Sequence, residues 1–270
     1  MGRRIGIVAG SGPFVAPGVS DLRRIGFRTV VLGIEGETQP GVKKAADMFT
    51  MVRPGAVAEA LAFFRGQDVS ELLFLGKVRP EVIFRKDLLD AQARRLLEGI
   101  PERSATALLK AVFGYLEAGG LKVLNPGSFL KSHFCDPGVL TRKKPSPEAL
   151  ADVEFGLRIA RRIADLEIGQ ALAVKRKAVV AVEGFEGTDR MIRRAGRLAG
   201  AGIVVVKAGR TAQDMKFDIP AVGLETVKGL VRAGGVVLGI EAAKVALFQR
   251  EKTLALANSH GVSIVVRKID

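Results

Sequence analysis

Short apolar runs alternate along the chain with stretches of helical period. "RRIGIVA" predicts a strand and "GSGP" a glycine turn, with Pro13 opening a helix that runs to about Arg24. "FRTVVLGI" and "DMFTMV" predict two more strands, and "PGAVAEALAFFR" a helix with Pro54 near its start. "ELLFLG" is a continuous apolar run of the buried-strand type. Helical patterns over 86–98 and 104–118 follow, Gly119 and Gly120 end the second, and "LKVLN" is a short strand. Strands alternating with helices predict a Rossmann-like α/β domain with a largely parallel sheet over residues 1–130.

From about Asn125 to Pro147 the periodicity is lost amid four prolines and the run Arg142, Lys143, Lys144, so residues 131–147 read as a linker. Ser146 caps and Pro147 starts a helix to about Asp165, with Leu150, Val153, Leu157 and Ala164 on its apolar side. "ALAVKRKAVVAVEG" predicts a hairpin turning near Arg176 and Lys177. A helix after "GTD", strands at "GIVVVKAG" and "MKFDIPAVG", a helix over 224–233, the strand "GGVVLGI", a helix over 241–249 and the strand "VSIVVRK" complete a second α/β domain, 148–270.

The formal net charge of +14 calls for an anionic partner: nucleic acid, an anionic membrane surface or a phosphorylated substrate. With no Trp and one Tyr, base stacking would rest on Phe, which argues against single-stranded nucleic acid. Cys135 is the only cysteine, so an internal disulfide is excluded and a reducing cytosol is the simplest setting. No apolar run suits a signal peptide or a spanning helix. His133 and His260 are the only histidines, so a metal would be held by oxygen, which favours Mg²⁺.

Three stretches carry candidate chemistry. "AGSGPF" joins a strand to a helix, where backbone N–H groups can hold a phosphate, or it is simply a tight turn; Val15 stands where the dinucleotide fingerprint needs glycine. In "VEGFEGTDRMIRR", Glu183 and Glu186 flank glycines, Thr188 is placed to N-cap a helix, and Asp189 falls in its first turn. In "KAGRTAQDMKFDIP", Lys207 ends a strand and Arg210 lies in the loop. Read as a strand, Asp214, Lys216 and Asp218 share one face, with the carboxylates roughly 13 Å apart; a solvated strand face with an ion pair has the same pattern.

Taken together, "GIVAGSGPF", "RIADLEIGQALAVKRKAVVAVEGFEGTDRMIRR" and "VVVKAGRTAQDMKFDIPAVG" resemble, in the same order and over nearly the whole chain, the LpxI-type UDP-2,3-diacylglucosamine pyrophosphatases of lipid A biosynthesis. The resemblance implies two α/β domains with a cleft between them that holds the active site. It implies Mg²⁺-dependent hydrolysis of a UDP-linked acylated glucosamine lipid to UMP and 2,3-diacylglucosamine 1-phosphate, in the cytoplasm at the inner membrane surface. It points to Asp218, Asp214 and Gln213 as catalytic. Gly10, Ser11, Gly12, Lys77, Gly187, Thr188, Asp189 and Lys207 are expected to bind substrate, and Asp218, Asp214 and Glu183 to hold the metal. Ala105 and Thr106 stand where the family carries a paired Asp-Asp, and Thr211 and Ala212 where it carries Lys-Pro. No nucleic-acid partner is expected, a homo-oligomer is left open, and the alternative is a non-catalytic nucleotide or phospho-ligand binding protein.

Overall fold

The computed structural model describes residues 2–77, 89–100, 105–216 and 218–269. It divides into two compact units, one of residues 1–130 with 214–218, the other of 131–213 with 219–270.

The first unit begins β1 (Arg4–Ala9), α1 (Val15–Arg24), β2 (Arg28–Ile34), α2 (Gly41–Ala45), β3 (Met48–Val52), α3 (Val57–Gly66) and β4 (Glu71–Leu75), and continues α4 (Ala91–Glu98), α5 (Ala105–Ala118) and β5 (Lys122–Val123). All pairings are parallel and the strand order is β3-β2-β1-β4-β5, the Rossmann arrangement in which chain direction across the sheet switches between β1 and β4. Phe64, Leu72, Leu116 and Leu121 form the core on one face, while Val15, Val19 and Leu22 of α1 are also buried. Asp47, just before β3, accepts the N–H and hydroxyl of Thr29 on β2 and pairs with Arg23 of α1, tying three elements together.

The second unit comprises β6 (Gly138–Val139), α6 (Pro147–Asp165), β7 (Ala171–Lys175), β8 (Ala178–Val182), α7 (Thr188–Ala199), β9 (Val204–Lys207), β10 (Ala221–Val222), α8 (Leu224–Arg232), β11 (Val237–Glu241), β12 (Ala246–Leu247), α9 (Arg250–Ser259) and β13 (Ser263–Arg267). Its main sheet runs β6-β13-β11-β9-β7-β8, with β13, β11 and β9 parallel and β6, β7 and β8 reversing direction in turn; β10 and β12 form a separate parallel pair. Both faces are covered, which is why the strands read as unbroken apolar runs. Val204, Val206, Val237 and Val265 meet Val153 and Leu157 of α6, while Val205, Leu238 and Ile264 meet Met191, Leu230 and Ala257 on the other side.

Ser146 caps α6 as expected, its hydroxyl accepting the Ala149 N–H at 3.2 Å. Arg176 and Lys177 turn the hairpin with φ of 51° and 57°, and buried Asp152 of α6 accepts both of their N–H groups.

Four expectations change. "MKFDIPAVG" is not a strand before Ala221: Asp214 Oδ1 accepts the Lys216 N–H at 2.9 Å, closing an Asx-type turn, and Phe217 lies outside the described residues. The helix expected over 241–249 is absent because Val245, Ala246, Leu247 and Phe248 are buried in succession, a pattern no helix face produces. The helix there is α9, which starts after Gln249 adopts a left-handed φ of 49°. The stretch 131–147 is not a free linker, since β6 extends the second sheet. The helix expected over 86–98 begins at Ala91, capped by Asp90, and residues 86–88 lie outside the described residues.

Candidate active site

Two constellations stand at carboxyl ends of parallel strands, where α/β sheets bind ligands.

In the first unit, Gly10–Gly12 leave β1 at the switch point beside the end of β4. Gly10 N–H bonds Leu75 O at 2.8 Å, Ser11 N–H bonds Lys77 O at 2.7 Å, and Lys77 N–H returns to Ser11 O at 2.9 Å. The Ser11 hydroxyl also donates to Lys77 O, at 2.8 Å. A side chain on Gly10 would overlap the Lys77 carbonyl, and one on Gly76, whose φ is +91°, would lie 2.6 Å from Ser11 O. Of the Gly10, Ser11 and Gly12 N–H groups read as a phosphate cradle, those of Gly10 and Ser11 are therefore committed to protein carbonyls. Lys77 sits exposed beside the turn, and α1 begins beyond it at Val15 with no side-chain cap. Residues 214–218 group with this unit, and Met215 Sδ lies where a side chain on Gly127 would stand. Asp214 is exposed and Asp218 half-buried.

In the second unit, Lys207 ends β9 on the α7 side of the sheet and is buried, as is Glu183 just past β8. Lys207 Nζ donates to Thr188 Oγ1 at 2.8 Å and lies 3.8 Å from Glu183 Oε2. Thr188 Oγ1 donates to Glu183 Oε1 at 2.7 Å, and the Gln170 N–H reaches Oε2 at 3.3 Å. Thr188 is thus not the N-cap of α7: that position is Gly187, with φ 83°. The hydroxyl expected to cap the helix is turned to the ion pair instead, and no side chain caps the N-terminus of α7. Asp189 follows in the first turn. Its side chain keeps solvent contact, but the protein crowded about it removes enough hydration to push its carboxyl up; Glu225 and Glu183 push the same way, and Lys207 and Arg193 oppose them. Asp189 also borders a groove of about 600 Å³ between α7 and α8, lined by Arg193, Arg197, Arg232 and Glu225.

The same sheet end carries groups that the sequence reading missed. Glu241, closing β11, forms a two-pronged ion pair with Arg161 of α6, with Nε to Oε2 at 3.3 Å, and its Oε2 accepts the Gly209 N–H at 3.0 Å. Asp165 accepts the Thr211 N–H and hydroxyl at 2.6 and 2.8 Å, which holds its carboxyl below the usual range. Lys244 donates to the carbonyls of Arg210 and Thr211, Arg210 pairs with Glu167, and Gln213 Oε1 accepts the Arg210 N–H at 2.9 Å. The β9 loop is thereby fixed up to Gln213. The signal was available: Glu241 ends a buried apolar run as Lys207 does.

Among the described residues, no three His, Cys, Asp or Glu side chains gather to hold a metal ion. Glu183, expected as a ligand, has both oxygens on protein donors. Cys135 is buried, and burial pushes its thiol up, away from nucleophilic use. His133 stacks on Phe248 and His260 lies beside Ser259, neither of them at these sites.

The model of the LpxI N-terminal domain matches residues 4–133, and that of the LpxI C-terminal domain matches residues 136–265. A UDP-2,3-diacylglucosamine pyrophosphatase LpxI from Caulobacter vibrioides is 27% identical over 97% of both chains. Among solved structures, an N5-carboxyaminoimidazole synthetase from Staphylococcus aureus in complex with ADP is 16% identical, with a TM-score of 0.26. That overlap covers 65% of this chain and 39% of the synthetase. A glycinamide-RNase-transformylase T from Mycobacterium tuberculosis is 14% identical, with a TM-score of 0.25 over 67% of this chain and 44% of its own.

Proposed function

Because the chain belongs to the LpxI family, its two domain models matching residues 4–133 and 136–265, we propose that it hydrolyses the pyrophosphate bond of UDP-2,3-diacylglucosamine to UMP and 2,3-diacylglucosamine 1-phosphate in lipid A biosynthesis. The observation that carries this reading is the match of both domains in order, together with a relative bearing that name over 97% of each chain.

The residues suit a diphosphate ester. An uncapped helix N-terminus at Gly187–Asp189 presents N–H groups and a positive dipole end to an anion. Lys207 and Glu183, joined through Thr188, hold that N-terminus against the sheet. Lys77 offers an exposed cation beside the glycine turn. Asp218 orients or deprotonates the attacking water, with Asp214 and Gln213 beside it in sequence.

Mg²⁺ would neutralise the diphosphate and polarise the attacked phosphorus. Asp214, exposed, and Asp218, half-buried, offer the one or two carboxylates that hydrated Mg²⁺ takes when phosphate oxygens and water complete its shell. Glu183 suits that role less, being neutralised by Lys207. The enzyme would work in the cytoplasm at the inner face of the inner membrane. Among the described residues, no helix is long and apolar enough to cross a membrane.

The test is UMP release from UDP-2,3-diacylglucosamine by purified protein, with and without Mg²⁺. Turnover should require the metal, and Asp218→Asn should lower it by about 100-fold with little change in KM. Binding without UMP release would leave a non-catalytic phospho-ligand protein.

A further inference from the structure

On one edge of the second unit, two adjoining loops expose large apolar side chains. Leu166 is 70% and Ile168 54% exposed in the loop between α6 and β7, and Phe185 is 77% exposed in the loop between β8 and α7. The loops are neighbours because Glu183 N–H bonds Ala171 O at 2.8 Å and its Oε2 accepts the Gln170 N–H. Loop tips ordinarily carry polar residues, so three large apolar groups on two joined loops call for an apolar environment.

The charges around them say which one. Arg158 and Arg162 precede Leu166 by two turns and one turn on the same stripe of α6, and Arg190 lies in the first turn of α7 after Phe185. All three are exposed, and none takes part in a side-chain hydrogen bond or ion pair among the described residues. The acids of the same loops are paired within the protein, Glu167 with Arg210 and Glu186 with Arg194, so the apolar tips are flanked by arginines left for an anionic bilayer, where side chains enter the acyl boundary and guanidinium groups meet phosphates. A second copy of this face fits poorly, because it would bring arginines against arginines in a chain of net charge +14.

We propose that this edge, Leu166, Ile168 and Phe185 with Arg158, Arg162 and Arg190, is the surface by which the protein docks on anionic membranes. The proposal rests on the lipid-substrate reading above.

The chain has no tryptophan, so Phe185→Trp supplies a single reporter, and Leu198→Trp at the far end of α7 in the same unit, at a position 66% exposed, is the control. On vesicles of phosphatidylglycerol and phosphatidylcholine at low salt, the indole emission of the Phe185→Trp variant should shift to the blue and that of the Leu198→Trp variant should not. Replacing Phe185 and Leu166 together by Ser should weaken partition about tenfold or more. Arg158→Gln with Arg162→Gln should weaken it several-fold and reduce its salt dependence. Thermal melts should match the parent, and turnover of detergent-dispersed substrate should be unchanged. Vesicle binding of the Phe185→Trp variant without an emission shift would overturn the proposal, as would a shift that depends on protein concentration in the absence of vesicles, which marks a second copy. UMP release by that variant with no emission shift refutes the docking edge alone; a shift with no UMP release refutes the enzymatic reading alone.

Discussion

The carboxyl ends of the parallel strands in the two units solve the same problem with different materials. At the end of β1 and β4 the first unit is sewn mainly main chain to main chain: Gly10 bonds Leu75 and Ser11 exchanges bonds with Lys77, at separations that the missing side chains of Gly10 and Gly76 allow. At the end of β8, β9 and β11 the second unit uses buried charge, with Lys207 against Glu183 through Thr188, and Arg161 against Glu241. Close backbone approach tolerates no added atom. A buried ion pair tolerates shape change but not loss of one partner, because the survivor is left charged and desolvated. The first device positions a loop through backbone bonds, with the Ser11 hydroxyl as the one added side-chain bond described there; the second holds charges ready beside a helix N-terminus.

That contrast can be broken by experiment. The largest loss should come from Lys207→Met, which strands Glu183: about 3–5 kcal/mol in urea unfolding. Adding Glu183→Leu should restore more than half of it, and a double mutant no more stable than the single would remove ion pairing from the account. Gly76→Ala should cost about 3 kcal/mol, from the positive φ and the approach to Ser11 O. Gly26→Ala, with φ +98° but nothing within 4 Å of the new Cβ, should cost about 1 kcal/mol. Equal losses at the two glycines would show that strain, not close approach, governs the turn. Thr188→Val keeps the shape but removes the hydroxyl between Lys207 and Glu183, and should cost about 2 kcal/mol. An unchanged melting temperature would deny the hydroxyl its bridging role.

The smallest effects depend on pH and have opposite signs in the two units. Burial raises the Asp47 carboxyl, but the Thr29 N–H and hydroxyl and the Arg23 guanidinium outweigh it and hold the pKa low. Its contribution is present above the unfolded-state pKa and lost as pH falls below about 4. Asp47→Asn should therefore lower stability at pH 7, by under about 1 kcal/mol, and leave a shallower acid decline. Asp189 is raised, chiefly by lost hydration, so its folded form holds a proton to higher pH and a cost appears as pH rises above about 4. Asp189→Asn should stabilise the protein slightly at pH 7 and not at pH 3. Melts at the two pH values that move in the same direction for both variants would refute the assignment.

Periodicity alone was enough for much of this molecule. Apart from the short α2, the run of strands and helices through β5, the Ser146-capped α6, the hairpin at Arg176–Lys177 and the strands β9, β11 and β13 were legible, because each buries a continuous or regularly spaced apolar set. The glycine turn and the stretch from Glu183 to Asp189 were also visible as places of unusual chemistry. Local turn chemistry overrode one pattern: Asp214, Lys216 and Asp218 alternate as in a strand, yet Asp214 accepts the Lys216 N–H and closes a turn that no alternation rule detects. Tertiary structure decided the rest. Thr188 has the sequence of a helix cap, but Lys207 and Glu183, 19 residues after it and 5 before it, capture its hydroxyl. Strand order was decided at the same level: β13 lies beside β11 and β7 beside β9 because sheet pairing joins edges far apart in the chain. Local spacing records which face of an element is apolar, whereas the partner of a polar group depends on which distant element is brought beside it.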